Sequence, residues 1–352
     1  MKIAFLNIYS GINNRGAESF AHELAGRLSE KNEVLFLKAD KKTWLAQPQH
    51  STSLLKRFFL DSASLSVLLF SLRQLPILLR EKPDVMIPMN GFWQLLLCKL
   101  IAIFTDSKIV VVGHSGPGWD EMWNLFLNPD VFVATTEPTA NWAKKVCSWT
   151  RVETIPYGID LATFSRPGLA KTAAKLRLEL ELEKPIILCP AAAVAYKRIQ
   201  LAVEAVAMMD RGSLLHLGKG PLAQEIEKQG VKKLGKKRFR STVVSPEVIP
   251  EFYAAADLVT LSSTAQENSP MVFLEAMAAS KFVVTTDAPR ARWILGEAGV
   301  FTNPDNIDAY AEAINSTLKR KWGKPQQDQI EQFSWDKIGK MYENLLQDIL
   351  KK

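Results

Sequence analysis

The chain has 352 residues, 47% hydrophobic and 23% charged, an ordinary globular composition with enough length for two domains of roughly 100–200 residues each. Its three cysteines, Cys98, Cys147 and Cys189, are widely spaced in apolar surroundings, which excludes a disulfide framework or a zinc cluster and fits a reducing, cytoplasmic setting. The formal net charge of +7 suits nucleic acid, an anionic membrane face or an anionic small molecule, and by itself selects none of them.

The opening "MKIAFLNIYS" lacks the long apolar region and small-residue cleavage site of a signal peptide and reads as a buried first strand. In "GINNRGAE", Gly11 and Gly16 permit a tight turn close to a ligand before the helix "AESFAHELAGRLSE", where Phe20, Leu24 and Leu28 recur at helical spacing. Ala17 and Glu18 stand where a phosphate-binding Walker loop needs Lys and Ser or Thr, and the glycine spacing is not that of a dinucleotide fingerprint. The apolar runs "EVLFLKA", "DVMIPM" and "KIVVVG" then alternate with helical segments, a βαβ rhythm that predicts parallel strands. Residues 54–80 and 92–104 are strongly apolar with interspersed Lys and Arg. Burial between sheet and helices is the first reading of them, and a monotopic membrane surface is the other. No uninterrupted apolar run reaches roughly 18 residues, so no membrane span is expected. His114 closes the strand "KIVVVGH" ahead of "SGPG", at the C-terminal edge where ligands of parallel sheets bind.

After "IPYGID", the charged stretch "SRPGLAKTAAKLRLELELEKP" marks a change of domain, and the rhythm restarts at "IILCPAAA". "AYKR" places Lys197 and Arg198 just after a strand and at a helix start, where cations can meet a phosphate. "GKGP" is a further glycine turn after the strand "SLLHLG". The basic run "KKLGKKRFR" has one aromatic and no nucleic-acid motif, and reads as a solvated loop, so no nucleic-acid partner is expected. In "ENSPMVFLEAMA", Ser269 suits a helix cap and Pro270 the first turn. Glu267 then lies before the helix and Glu275 on it, with unpaired N–H groups between them that favour an anion. No pair of aspartates separated by one residue and no His/Cys cluster offers a metal site. The closing "FSWDKIGKMYENLLQDILKK" is expected to be helical.

Taken in order, "GINNRGAESFAHELA", "GHSG", "IPYGIDLATF", "AYKR", "LGKGPLAQEI", "SPEVIPEFYAAADLVTLSS", "ENSPMVFLEAMA" and "FSWDKI" resemble the retaining glycosyltransferases of the GT-B fold, family 4, over nearly the whole chain. The most specific element is the E-x7-E pattern of Glu267 and Glu275. The resemblance implies an α/β protein of two Rossmann-like, doubly wound domains facing a central crevice: residues 1–165 for the acceptor, residues 166–330 for a nucleotide-sugar donor, and residues 331–352 as a helix packing back on the first domain. It implies that Glu275 accepts bonds from ribose hydroxyls, that Pro270, Met271 and Val272 lie near the diphosphate, and that Glu267 contacts the donor sugar. His114 matches the position touching the transferred sugar, Lys197 the cation that stabilises the leaving diphosphate in place of a metal, and Gly16 the loop approaching the phosphates, with Arg198 beside them. No cofactor or metal is implied. Asp120 and Glu121 in "GPGWDEMW" are acceptor-side acids by position, but they read as a surface loop and stay off the catalytic set.

This chain departs from the family pattern at Ala192, where an Arg usually completes the phosphate clamp, at Pro270, where Gly is common, and at Ser280 and Phe282, which replace the usual Gly and Pro. The leading expectation is a retaining, metal-independent hexosyltransferase of polysaccharide or lipid-linked glycan synthesis, in the cytoplasm or peripheral to the cytoplasmic membrane face. A catalytically impaired homologue acting as a glycan- or nucleotide-binding assembly partner is the alternative that Ala192 supports. An epimerase of similar architecture is disfavoured by the E-x7-E pattern.

Overall fold

The computed structural model describes residues 1–12, 16–40, 43–45, 54–264 and 271–351. The chain divides into two compact units, residues 1–158 with 336–352, and residues 159–335. The first division thus falls before residue 165. The charged stretch after it holds a helix, Leu169–Leu180, which belongs to the second unit and packs on the helix Ile249–Ala255.

The first unit is built on six parallel strands, β1 (Lys2–Asn7), β2 (Glu33–Lys38), β3 (Val85–Pro88), β4 (Lys108–Gly113), β5 (Val131–Ala134) and β6 (Val152–Thr154), in the order β2-β1-β3-β4-β5-β6. Every residue of β3 and β5 is buried, as in a sheet covered on both faces, whereas the edge strand β2 is mostly half-exposed. One core cluster unites Leu6 and Ile8 with Phe70, Leu95, Val111 and Phe132. The helix Ser62–Glu81 starts where the Asp61 carboxylate accepts from the N–H groups of Ala63 and Ser64. The final helix, Trp335–Leu350, lies with this unit through Lys31–Glu343 and Arg151–Asp348 ion pairs and a Phe20–Tyr342 ring contact.

The second unit carries β7 (Ile186–Pro190), β8 (Ser213–Leu217), β9 (Phe239–Thr242), β10 (Leu258–Leu261), β11 (Val283–Thr286) and β12 (Gly299–Thr302), ordered β12-β11-β10-β7-β8-β9. The order reverses between β1 and β3 in the first sheet and between β7 and β10 in the second, and these reversals are where open parallel sheets receive ligands. The basic run 232–240 is not a solvated loop. It closes the helix Ala223–Leu234 and enters β9, and the Arg238 guanidinium donates to the carbonyls of Val206, Met209 and Gly212.

Beyond β7, residues 191–193 continue the sheet ladder against the turn after β8: Ala191 N–H donates to Leu217 O and Ala193 N–H to Lys219 O, each at 3.0 Å. The approach is so close that a Cβ on Gly218 would overlap the carbonyl of Ala191, and one on Gly220 that of Ala193. This is the physical reason for "GKGP". Gly218→Ala is therefore expected to destabilise the second unit by at least about 1–3 kcal/mol, since backbone must move to admit the methyl. Gly26→Ala, on an open helix face with nothing within 4 Å, is expected to cost nothing or to stabilise slightly. Denaturant unfolding of the two variants checks this, and equal midpoints would contradict the close approach.

Candidate functional site

In the second unit, Lys197 ends a short 3-10 turn, Ala195–Lys197, directly after β7. The loop after β10 is fastened to it. Ser262 Oγ donates to the carbonyls of Lys197 (3.1 Å) and Arg198 (2.8 Å), Arg198 Nε donates to Ser262 O (2.9 Å), and Thr264 N–H donates to Tyr196 O (2.9 Å). Lys197 is buried and its ammonium lies 5.3 Å from the Tyr196 ring centroid. Its charge also reaches Cys189, opposing the burial that pushes that thiol up to about 12. Arg198 occupies the left-handed region (φ 49°) and its guanidinium is joined to Asp305 at 2.9 and 3.0 Å, so this cation is already engaged in the fold of the unit. Ala192 is exposed, leaving open space at the position where the family pattern has an Arg. His216 is a bridge within the sheet: Nε2 donates to Ala191 O at 2.9 Å, which leaves Nδ1 to accept from Ser241 Oγ at 2.8 Å, and burial lowers its pKa.

The helix Met271–Ala278 begins with Met271 and Val272 and carries Glu275. Tyr253, fully buried on the helix Ile249–Ala255, donates its hydroxyl to Glu275 Oε2 at 2.6 Å. Burial raises the Glu275 pKa and the tyrosine bond partly offsets it. One carboxylate oxygen is thereby fixed and the group is oriented. Tyr253 was missed in the sequence, although "IPEFYAAADL" carries it. Glu267, Ser269 and Pro270 lie outside the described residues.

In the first unit, Gly16 begins the helix Gly16–Ser29 and is exposed. His114 follows β4, shares a 2.6 Å hydrogen bond between Nδ1 and the Tyr157 hydroxyl, stacks on that ring and meets the edge of Phe20. This apolar packing pulls its pKa down to about 4, so the imidazole is neutral at pH 7 although the residue keeps some surface.

Beside it opens a cavity of about 260 Å³ at the β1/β3 reversal, lined by the segments that follow β1, β3 and β4. Asp120 and Glu121 line it together with His114, Asn90, Asn124 and Lys56. These acids are not on a surface loop. They sit in the first turn of the helix Trp119–Phe126, and Glu121 is buried, accepting from Ser115 N–H at 2.9 Å and from Asn124 Nδ2 at 3.0 Å. Burial, with a smaller push from Asp120, raises Glu121 to about 7 against the pull of those two bonds. Burial and Asp61 raise Asp120, opposed by Lys56. Among the described residues, no group of three or more His, Cys, Asp or Glu side chains is placed to hold a metal.

A family model described as glycosyl transferases group 1 matches residues 184–320, and one described as Glycosyltransferase Family 4 matches residues 14–163. Among solved structures, sucrose-phosphate synthase from Thermosynechococcus elongatus is similar over 99% of both chains, with a TM-score of 0.81 at 18% identity. A glycosyltransferase from Rickettsia africae is similar over 100% of this chain and 99% of its own, with a TM-score of 0.77 at 15% identity. Anabaena HepE in complex with UDP-glucose is similar over 99% of this chain and 100% of its own, with a TM-score of 0.75 at 19% identity. No curated protein matches in sequence.

The Glu121 proton gives a test of the cavity's electrostatics. The unfolded chain releases it near 4.5 and the folded chain near 7, so the folded state binds more protons between these values and Glu121 costs stability as pH rises through them. The full cost above that window is about 3 kcal/mol. Glu121→Gln is therefore expected to raise Tm at about pH 8, with the gain shrinking steadily as pH falls toward about 5. Scanning calorimetry of both proteins across this range measures it. His114, which titrates in the opposite sense, is common to both, and a difference that ignores pH would contradict the assignment.

Proposed function

The chain belongs to the group 1 glycosyltransferases and has the GT-B fold, and on that premise we propose that it moves a sugar from a nucleotide-sugar donor to a glycan or lipid-linked glycan, with retention of configuration and without a metal. The observation that carries the reading is the reversal of the second sheet. There the Lys197 turn is bonded to the loop after β10, and that loop leads in sequence to the Glu267–Glu275 segment. In this reading Glu275, oriented by Tyr253, accepts from the ribose hydroxyls through its remaining lone pairs. The amides of Met271 and Val272 face the diphosphate at a helix N-terminus. Glu267 is assigned to the donor sugar and Pro270 to the diphosphate. Lys197 neutralises the departing diphosphate, the role a metal otherwise fills. His114, neutral, offers the transferred sugar a hydrogen-bonding edge without charge. Gly16, which has no side chain, is assigned to the donor phosphates. Arg198 acts on the donor through the loop it ties to Asp305 and Ser262.

The impaired-homologue reading rests on Ala192, which leaves Lys197 to do the work of two cations. Nucleotide binding decides between them, and UDP is the first probe because Anabaena HepE was solved with it. Calorimetric titration in the presence of a chelator is expected to show UDP binding. Lys197→Ala is expected to weaken it by roughly ten- to a hundredfold, the worth of a charge-assisted bond of about 1.5–3 kcal/mol. Binding abolished by the chelator would remove metal independence, and an unchanged affinity for Lys197→Ala would remove this residue from the site.

Membrane contact is part of the same proposal. Burial accounts for one face of the apolar segments, through Val67, Phe70, Leu78, Leu95 and Ile101, but not for the rest: Leu54, Leu55 and Phe58 are 73%, 58% and 62% exposed, and Ile103 and Phe104 exceed 70%. Leu54–Glu81 has the length and mean hydropathy (1.5) of a span, but only 33% of its most apolar window is buried. The segment is broken between Leu54–Arg57 and the Asp61-capped helix, which favours a surface lying in the interface, with the exposed Arg57 toward headgroups. Sedimentation with anionic liposomes is expected at low salt, weakening as salt rises and dropping for the double change of Leu55 and Phe58 to Ser. Protein that remains in the supernatant at low salt would exclude this contact.

A further inference from the structure

We propose that the cavity of the first unit binds an acceptor sugar free of anionic groups, selecting it by the hydrogen bonds that its hydroxyls, or an ammonium, donate. This rests on reading the first unit as the acceptor side of the transferase. The balance of donors and acceptors in the lining leads to it. Asp120 and Glu121 bring carboxylates, while Asn124, 6% exposed, gives its Nδ2 to Glu121 and leaves Oδ1 with no partner among the described residues. A buried acceptor without a donor costs stability unless something supplies one, and a ligand hydroxyl does.

Several donors of the lining are already engaged. Trp93 Nε1 donates to Phe59 O, Ser64 Oγ to Asp61, and Ser115 N–H to Glu121. Lys56 is the only cation among the described lining residues, and its charge acts on Asp120. His114 is held neutral. The buried side chains of the site thus lean toward acceptors, with Asn124 Oδ1 left without a donor among the described residues. A phosphate or carboxylate, which brings acceptors alone and a like charge, meets the Asp120 carboxylate and the Asn124 oxygen unfavourably, whereas a hydroxylated ring offers both a donor. The remaining walls, Phe59, Phe92, Trp93 and Met89, suit the apolar face of such a ring, and a cavity of about 260 Å³ is below the size of drug-scale pockets and fits a small ligand.

The test is direct binding without a donor, which separates it from the nucleotide reading. Saturation-transfer NMR is run with the full chain against neutral hexoses, N-acetylhexosamines, their amino sugars and the corresponding 6-phosphates. At least one neutral or amino sugar is expected to bind with a Kd of about 1 mM or tighter, and its 6-phosphate at least tenfold more weakly. Asp120→Asn is expected to weaken the neutral sugar about tenfold. Asn124→Leu, which removes the orphaned oxygen and also the Nδ2 bond to Glu121, should lose binding and lower Tm, whereas Asp120→Asn should weaken binding with little change in Tm. A 6-phosphate that binds better than its parent sugar, affinity unchanged in both variants, or no binding by any neutral or amino sugar overturns the proposal. UDP binding in that last case leaves the transferase reading standing. Sugar binding without UDP binding does the reverse.

Discussion

Parallel strands deliver all their C-terminal ends to one edge of a sheet, and where the strand order reverses, the two loops that leave adjacent strands part in opposite directions. Each candidate site of this protein stands at such a parting. Between β1 and β3 the separation opens the cavity that Asp120 and Glu121 line. Between β7 and β10 it is bridged, because Ser262 and Thr264 bond back to the Lys197 turn. The same topological constraint leaves a hollow in one unit and a stapled platform in the other. The difference lies in the residues that follow each strand.

The platform depends on backbone approach more than on side chains. Residues 191–193 can extend the ladder beyond β7 only because Gly218 and Gly220 present no Cβ to their carbonyls. The extension fixes the direction of the chain into the Ala195–Lys197 turn, and the serine bonds hold that turn from the other side. Lys197 is buried and its chain on both sides is tied down, so in the proposed role little would be left to order on binding. Glu275 is prepared in the same way by Tyr253, a neutral partner that orients the carboxylate without cancelling its charge.

The sequence makes the strands plain, since "KIAFLNI" and "KIVVVG" are apolar over their whole length and are buried on both faces. It makes Glu275 plain through its helical setting and its partner eight residues earlier in the E-x7-E pattern. It hides other parts for physical reasons. "GPGWDEMW" is polar and glycine-rich enough to pass for a loop, and only the fold places its second acid under Ser115 and Asn124. Arg238 looks like one more solvated charge until three carbonyls from elsewhere in the chain converge on it. The apolar content of residues 54–80 is only half explained by the core, which takes Val67, Phe70 and Leu78 and leaves Leu54, Leu55 and Phe58 exposed, because hydrophobicity says that a face seeks cover and not whether this chain provides it.

If the proposed transfer is right, turnover of a nucleotide sugar releases a nucleoside diphosphate. Proton and phosphorus NMR of the purified protein incubated with individual nucleotide sugars and a neutral sugar acceptor tests it most directly. The account predicts release of the diphosphate together with a new glycosidic linkage that keeps the anomeric configuration of the donor. Nucleotide sugars that bind but remain intact in every combination, or a product of inverted configuration, would contradict it.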